Sequence, residues 1–173
     1  GWAWRQQTGV RHQLYWQHSD GIWTEYTLHG LSPLQPGLPV CHVSAYEAAA
    51  FAEWKGERLP TETELELLAR QLPAEGVLLG DGDRYHPGPL GESGQAEAVF
   101  GGVWEWSSSG YEPYPGYHPP DGAVGEYNGK FMSGQQVLRG GSCATERNHI
   151  RATYRNFFPA NARWQFSDIR LAK

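Results

Sequence analysis

The residues best suited to chemistry gather near the end of this 173-residue chain, where Arg151, Tyr154, Arg155, Asn156, Phe157 and Phe158 precede Arg163, Trp164, Gln165 and Phe166. Guanidinium forks alternating with aromatic faces can grip a carboxylate bidentately and lay a quaternary ammonium on a ring, so the tract suits a zwitterionic or betaine ligand. The same alternation can also lock loops by stacking where regular hydrogen bonding is scarce. Other candidates are weaker. His12, His18, His29, His42, His86, His118 and His149 show neither a helical H-x3-H pair nor a Cys/His ligand spacing, and read as surface or hydrogen-bonded histidines. Gly80-Asp81-Gly82-Asp83 has the look of a calcium loop but lacks the further oxygen ligands and closing Glu of an EF-hand, so it reads as a turn. Ser142 follows Gly140-Gly141, yet the nucleophile-elbow pattern fails at Ala144 and a structural serine is expected.

These side chains need elements to position them. Candidate strands at His12–Trp16 and Gly21–Leu28 flank the turn signal Ser19-Asp20-Gly21, which predicts a hairpin. Ser44 at an N-cap, Glu47 at N3 and Gly56 as a stop predict a helix over 44–55, with Tyr46, Ala50 and Trp54 on one face. Thr61 and Glu64, after Pro60, repeat that logic for a helix over 61–70. Beyond Gln71 the periodicity fades into loop, including Pro87-Gly88-Pro89. Alternation then predicts short strands at Val103–Trp106, Gln136–Arg139 and Ile169–Ala172, with Tyr111, Tyr114, Tyr117 and Tyr127 in a Pro- and Gly-rich coil between the first two. The expected architecture is α+β: two short helices, short strands and much ordered coil, in a single domain spanning 1–173.

Composition supports this and excludes other classes. With 39% hydrophobic and 19% charged residues the chain is neither a disordered tail nor a coiled coil. A net charge of −5 offers no basic field for a phosphate backbone, so nucleic acid is not an expected partner. Eight Trp, nine Tyr, 22 Gly and 12 Pro imply long loops pinned by aromatic rings. Cys41 and Cys143 are too few and too far apart for a disulfide scaffold and read as reduced, packed thiols. Residue 1 is Gly and the only methionine is Met132, so the chain reads as a piece of a longer protein. No signal-peptide pattern and no apolar run near the ~18 residues of a membrane span are present, which makes the expected setting soluble and cytoplasmic.

Five motifs occur in a recognisable order: Pro39-Val40-Cys41-His42-Val43-Ser44-Ala45-Tyr46-Glu47-Ala48, Arg58-Leu59-Pro60-Thr61-Glu62, Val103-Trp104-Glu105-Trp106, Leu138-Arg139-Gly140-Gly141-Ser142 and Ile169-Arg170-Leu171-Ala172. Together they resemble the formylglycine-generating-enzyme, or sulfatase-modifying-factor, family. That resemblance implies a C-type-lectin-like α+β fold of mostly irregular chain, often carrying structural calcium. Formylglycine-generating enzymes have two active-site cysteines downstream of the R-G-G-S motif, and an ungapped count places Thr145 and Ile150 there in this chain. Sulfatase activation is therefore not expected. A closer similarity is to the C-terminal domain of ergothioneine-biosynthesis sulfoxide synthases, carried by Gly125-Glu126-Tyr127-Asn128-Gly129-Lys130-Phe131-Met132, Arg139-Gly140-Gly141-Ser142-Cys143-Ala144-Thr145 and Tyr154-Arg155-Asn156-Phe157-Phe158-Pro159.

This second resemblance implies a non-haem Fe(II) enzyme that uses dioxygen to join a thiol, cysteine or γ-glutamylcysteine, to C2 of trimethylhistidine as a sulfoxide. Its iron ligands would lie outside this chain, on an N-terminal DinB-like domain. The chain alone is accordingly expected neither to hold iron tightly nor to turn over. By position in the motifs, Arg155, Asn156, Phe157 and Phe158 are the expected substrate-binding residues, with the Asn156 amide on the amino-acid head and the Phe157 ring facing the ammonium. Tyr127 is the expected catalytic residue, as a proton donor. Phe157-Phe158 stands where some members have Trp then Asp, an acid that would contact the thiol donor's amino group. Gly102 replaces the usual Asn or Asp before Val103, and Glu105 reads as a buried structural acid. The rival reading is a non-catalytic, lectin-like ligand-binding module of the same fold. Its Asn-rich variable tract is not matched, since residues 143–168 carry only Asn148, Asn156 and Asn161.

Overall fold

The computed structural model describes residues 1–80, 85–89 and 98–173. Its first element is a helix, α1 (Trp2–Thr8), which ends where Gly9 turns left-handed at φ 67°. Three antiparallel strands follow as a meander: β1 (Trp16–Ser19), β2 (Ile22–Thr27) and β3 (Gly30–Pro33). The turn falls where it was expected. Asp20 and Gly21 both have positive φ, 52° and 77°, which is what a two-residue hairpin turn of matching twist needs. That turn pairs Ser19 with Ile22, so the first arm runs over 16–19 and not over 12–16. Helix α1 and strand β3 were not foreseen in this aromatic, turn-rich stretch.

Both predicted helices form. In α2 (Ala45–Lys55) the Ser44 side chain accepts from the Glu47 amide while the Glu47 carboxylate accepts from the Ser44 amide. Thr61 and Glu64 do the same for α3 (Glu62–Ala69). Each reciprocal pair satisfies two helix-end donors that would otherwise lack partners. The face of α2 that packs inward is Ala45, Ala48 and Ala52, whereas Tyr46 and Trp54 stay exposed. Alanine at those positions lets the helix approach the sheet closely enough for large indoles to fill the gap.

The main sheet has the order β6-β5-β4-β7. Strands β4 (Trp104–Gly110), β5 (Gln135–Arg139) and β6 (Asn156–Pro159) are antiparallel neighbours, and β7 (Ser167–Asp168) runs parallel to β4. Trp106 is completely buried among Val43, Ala45, Ala48, Ala52, Trp104 and Leu138, and its indole N–H donates to the Val43 carbonyl at 2.9 Å. The predicted strands at 103–106 and 136–139 are found, slightly extended. The strand predicted at 169–172 is not: β7 lies just before it, and only Ala172 bridges, to Arg58. The stretch read as coil contains helix α4 (Ala123–Phe131), so the described residues hold four α-helices where two were expected. Two glycines hide α4 from a propensity reading. Gly125 is required, because a Cβ there would stand 1.8 Å from the Pro120 carbonyl oxygen.

Cys41 and Cys143 are free and buried, as expected. Burial pushes both thiols up, Cys143 to about 11, which leaves them inert. Glu105 is likewise a buried structural acid, held by Arg170 through bonds of 2.6 and 2.8 Å. Asp81, Gly82 and Asp83 of the candidate turn lie outside the described residues. Among the described residues no helix is long and apolar enough to cross a membrane.

Candidate functional site

Strand β6 separates its two phenylalanines, because successive side chains of a strand point to opposite faces. Phe158 pairs with Gln136 and packs into the core beside Trp104 and Trp106, its ring 4.5 Å from that of Trp164. Phe157 pairs with Val137 and faces the other way, onto Tyr111. The two rings are parallel within 9° and 3.9 Å apart. Phe131 of α4 flanks Phe157 at 6.0 Å, and Tyr127, one helical turn earlier, lies edge-on to Phe131 at 5.0 Å. The result is an aromatic wall running from Tyr111 through Phe157 and Phe131 to Tyr127, whose ring is exposed.

Arg155 lies behind this wall. Its guanidinium sits 4.6 Å from the Tyr111 centroid and 4.3 Å from that of Tyr114. It donates to Glu62 Oε1 at 2.9 Å and to the Glu112 carbonyl at 3.2 Å. Glu62 opens α3, and its second oxygen accepts from Arg139 of β5 at 3.0 Å. Arg139 also reaches Glu66 at 2.9 Å and the Tyr114 hydroxyl at 3.0 Å, while its other terminal nitrogen donates to the Ala152 and Tyr154 carbonyls. Two carboxylates and two guanidiniums thus alternate in a largely buried network, which the exposed Arg70 closes at Glu66 with a 2.7 Å bond. Burial pushes the Tyr111 and Tyr114 hydroxyls above the ordinary phenol range, against the pull of the neighbouring guanidiniums, so both stay protonated donors.

The structure therefore brings Arg155, Phe157 and Tyr127 to one side of the sheet. Phe158 goes to the other, and the alternation of β6 sends Asn156 with it. The Asn156 side-chain oxygen accepts from the Phe157 amide at 2.9 Å. A cleft of about 530 Å³ lined by Trp2, Trp4, Tyr46 and Glu47 is a separate feature near α1. Reasoning from sequence missed Glu62, Tyr111, Tyr114 and Arg139 as parts of the site. Glu62 carried a signal: Glu64 supplies the capping box, which leaves Glu62 and Glu66, at i and i+4 on one face of α3, free for another use.

Among the described residues no three His, Cys, Asp or Glu side chains converge where a metal ion could sit. Thr145 and Ile150, counted to the places of the formylglycine-generating cysteines, do flank one point of the backbone. A Cβ on Gly141 would meet both of them, within 3.5 and 2.5 Å, yet neither carries a thiol.

A family model described as the sulfatase-modifying factor enzyme 1-like domain matches residues 3–98 and 84–173. This chain belongs to that family. Within the sulfatase-modifying factor group it is 34% identical over 198 residues to the hercynine oxygenase of Mycolicibacterium thermoresistibile, covering 99% of this chain and 43% of the relative. Ergothioneine biosynthesis protein 1 of Schizosaccharomyces pombe is 31% identical over 170 residues, covering 91% of this chain and 22% of that protein. The chain thus spans less than half the length of these relatives. The structure of PvdO from Pseudomonas aeruginosa matches 98% of this chain and 74% of its own with a TM-score of 0.52 at 19% identity, a likeness of fold.

Proposed function

We propose that this chain is the substrate-binding domain of a non-haem iron, oxygen-dependent sulfoxide synthase that joins cysteine or γ-glutamylcysteine to trimethylhistidine in ergothioneine biosynthesis. Support comes from similarity, along nearly the whole chain, to proteins named for hercynine oxygenation and ergothioneine biosynthesis. The observation that carries the reading is the Phe157 ring, backed by Tyr111 and flanked by Phe131, because a supported aromatic face is what a quaternary ammonium needs.

The described residues do not fit as an iron ligand set. Under this proposal Fe(II) and its histidines belong to a DinB-like partner domain, and the chain alone does not turn over. Its own work is binding and proton supply. Phe157 faces the trimethylammonium group, while Asn156, sent to the opposite face of β6, supports it by accepting from the Phe157 amide and fixing that backbone. Phe158 shapes the site from the core side, and Arg155 acts from behind the stack. Tyr127, exposed at the end of the aromatic run, is the phenol placed to give a proton.

Calorimetric titration of the full-length protein tests this. Phe157→Ala should weaken trimethylhistidine by about 0.5–2 kcal/mol more than it weakens unmethylated histidine. Equal losses for the two ligands would show that the ring only packs. Ligand binding without any sulfoxide formation from either thiol would favour the non-catalytic module.

A further inference from the structure

The aromatic stack poses an electrostatic problem. Phe157 covers one face of Tyr111 at 3.9 Å, so the Arg155 guanidinium, 4.6 Å from the same ring centre, must lie on the opposite face. A full positive charge therefore stands behind the surface on which a cation would rest. A cation on the outer face of Phe157 is then on the order of 13 Å from that charge, and at an effective dielectric of ~20 the repulsion is still comparable to a cation–π attraction. An uncompensated Arg155 would make this wall a poor seat for an ammonium ion.

Glu62 removes the difficulty. Its Oε1 holds Arg155 at 2.9 Å, with both side chains largely buried. The Arg155 Nε has no hydrogen-bond partner, and Glu62 is the one carboxylate paired with this guanidinium among the described residues. Of the other charges near Glu62, Arg139 takes its second oxygen and is shared with Glu66, which also pairs with the exposed Arg70, while Tyr114 contributes a neutral hydroxyl. A neutral side chain such as glutamine could accept the same hydrogen bond from Arg155. Only a carboxylate cancels its charge.

We propose that Glu62 is a positioning residue of the ligand site: it fixes Arg155 against Tyr111 and neutralises it, so that the Phe157 face selects a quaternary ammonium over an uncharged group of the same shape. The inference rests on the reading of Phe157 as the ligand face, and the experiment separates the two. Dissociation constants are measured on the full-length protein for trimethylhistidine and for its neutral carbon isostere, in which a tert-butyl group replaces the trimethylammonium. Wild-type protein should prefer the cation. Glu62→Gln should reduce that preference about tenfold while changing the isostere by less than about twofold. Adding Arg155→Gln to Glu62→Gln should restore the preference, because both members of the charge pair are then gone. If Glu62→Gln fails to fold, Arg155→Gln alone decides, since removing the positive charge should raise the preference for the cation. Equal weakening of both ligands in Glu62→Gln, or a reduced preference in Arg155→Gln, overturns the proposal. Wild-type protein that binds neither ligand overturns the reading of Phe157 itself, and the inference with it.

Discussion

Helices α2 and α3 pack against the same four-stranded sheet with different chemistry. On the α2 side, Ala45, Ala48 and Ala52 meet Trp104, Trp106, Leu138 and Phe158, and the cohesion comes from apolar area and close packing. On the α3 side Leu65 and Ala69 are buried as well, but Glu62 and Glu66 add an ionic contact with Arg139 and Arg155, capped by Tyr111 and Tyr114. A buried ionic network repays its desolvation cost only when every partner is in place, so it adds less net stability than an oily contact of equal size. It specifies direction better, because guanidinium forks and carboxylates bond along fixed lines. The contrast teaches where this domain places precision. The side carrying the aromatic wall adds directional bonds to its apolar packing, and the side that only needs to cohere is held by packing alone.

The comparison can be broken from the oily side first. Trp106→Ala should cost about 4–5 kcal/mol, since a fully buried indole leaves a cavity that flanking alanines cannot refill. Urea unfolding checks this, and a loss below ~2 kcal/mol would mean that the α2 face is not the main source of stability. On the ionic side, Arg139→Leu should cost about 3 kcal/mol because Glu62 and Glu66 lose their shared cation in a largely buried place. A near-neutral result would show that the network contributes direction alone.

Asp168 sharpens the contrast as a buried carboxylate without a bidentate cation. Burial, aided by the charge of Glu105 and opposed by the Ile169 amide bond and by Arg170, pushes it up to about 7. The sign follows from proton counting. Between pH 4 and 7 the folded state holds a proton that the unfolded chain has released, so this group's contribution falls as pH rises through that window and stays unfavourable above it. Asp168→Asn keeps the oxygen that accepts from the Ile169 amide at 2.6 Å. It should therefore stabilise the fold by ~1–2 kcal/mol at pH 8 and by nothing at pH 3.5, as read from urea midpoints at the two pH values. Equal midpoint shifts at both would show that Asp168 does not titrate in this window.

Legibility in the sequence follows the range of the interaction that makes each element. The capping boxes at Ser44-Glu47 and Thr61-Glu64 and the turn at Asp20-Gly21 are closed within four residues, and each stands where the residues predict it. Strand β6 has four residues and no clean alternation of apolar and polar types, so only its pairing with β5 defines it. The predicted strand at 169–172 failed for the complementary reason: alternation was present, but β4 offers an edge to Ser167 and Asp168.

The candidate site divides in the same way. Sequence by itself determined the family motifs, the caps of α2 and α3 and the concentration of Arg and aromatic residues at 151–166, because those are matters of residue type and near-neighbour spacing. Tertiary structure alone decided that Phe157 and Phe158 part company across β6, that Tyr111 backs one of them, and that Glu62 binds Arg139 from 77 residues away and Arg155 from 93. No local propensity encodes such pairings. They arise when the sheet and α3 close on each other and buried charges must find their partners or leave the interior.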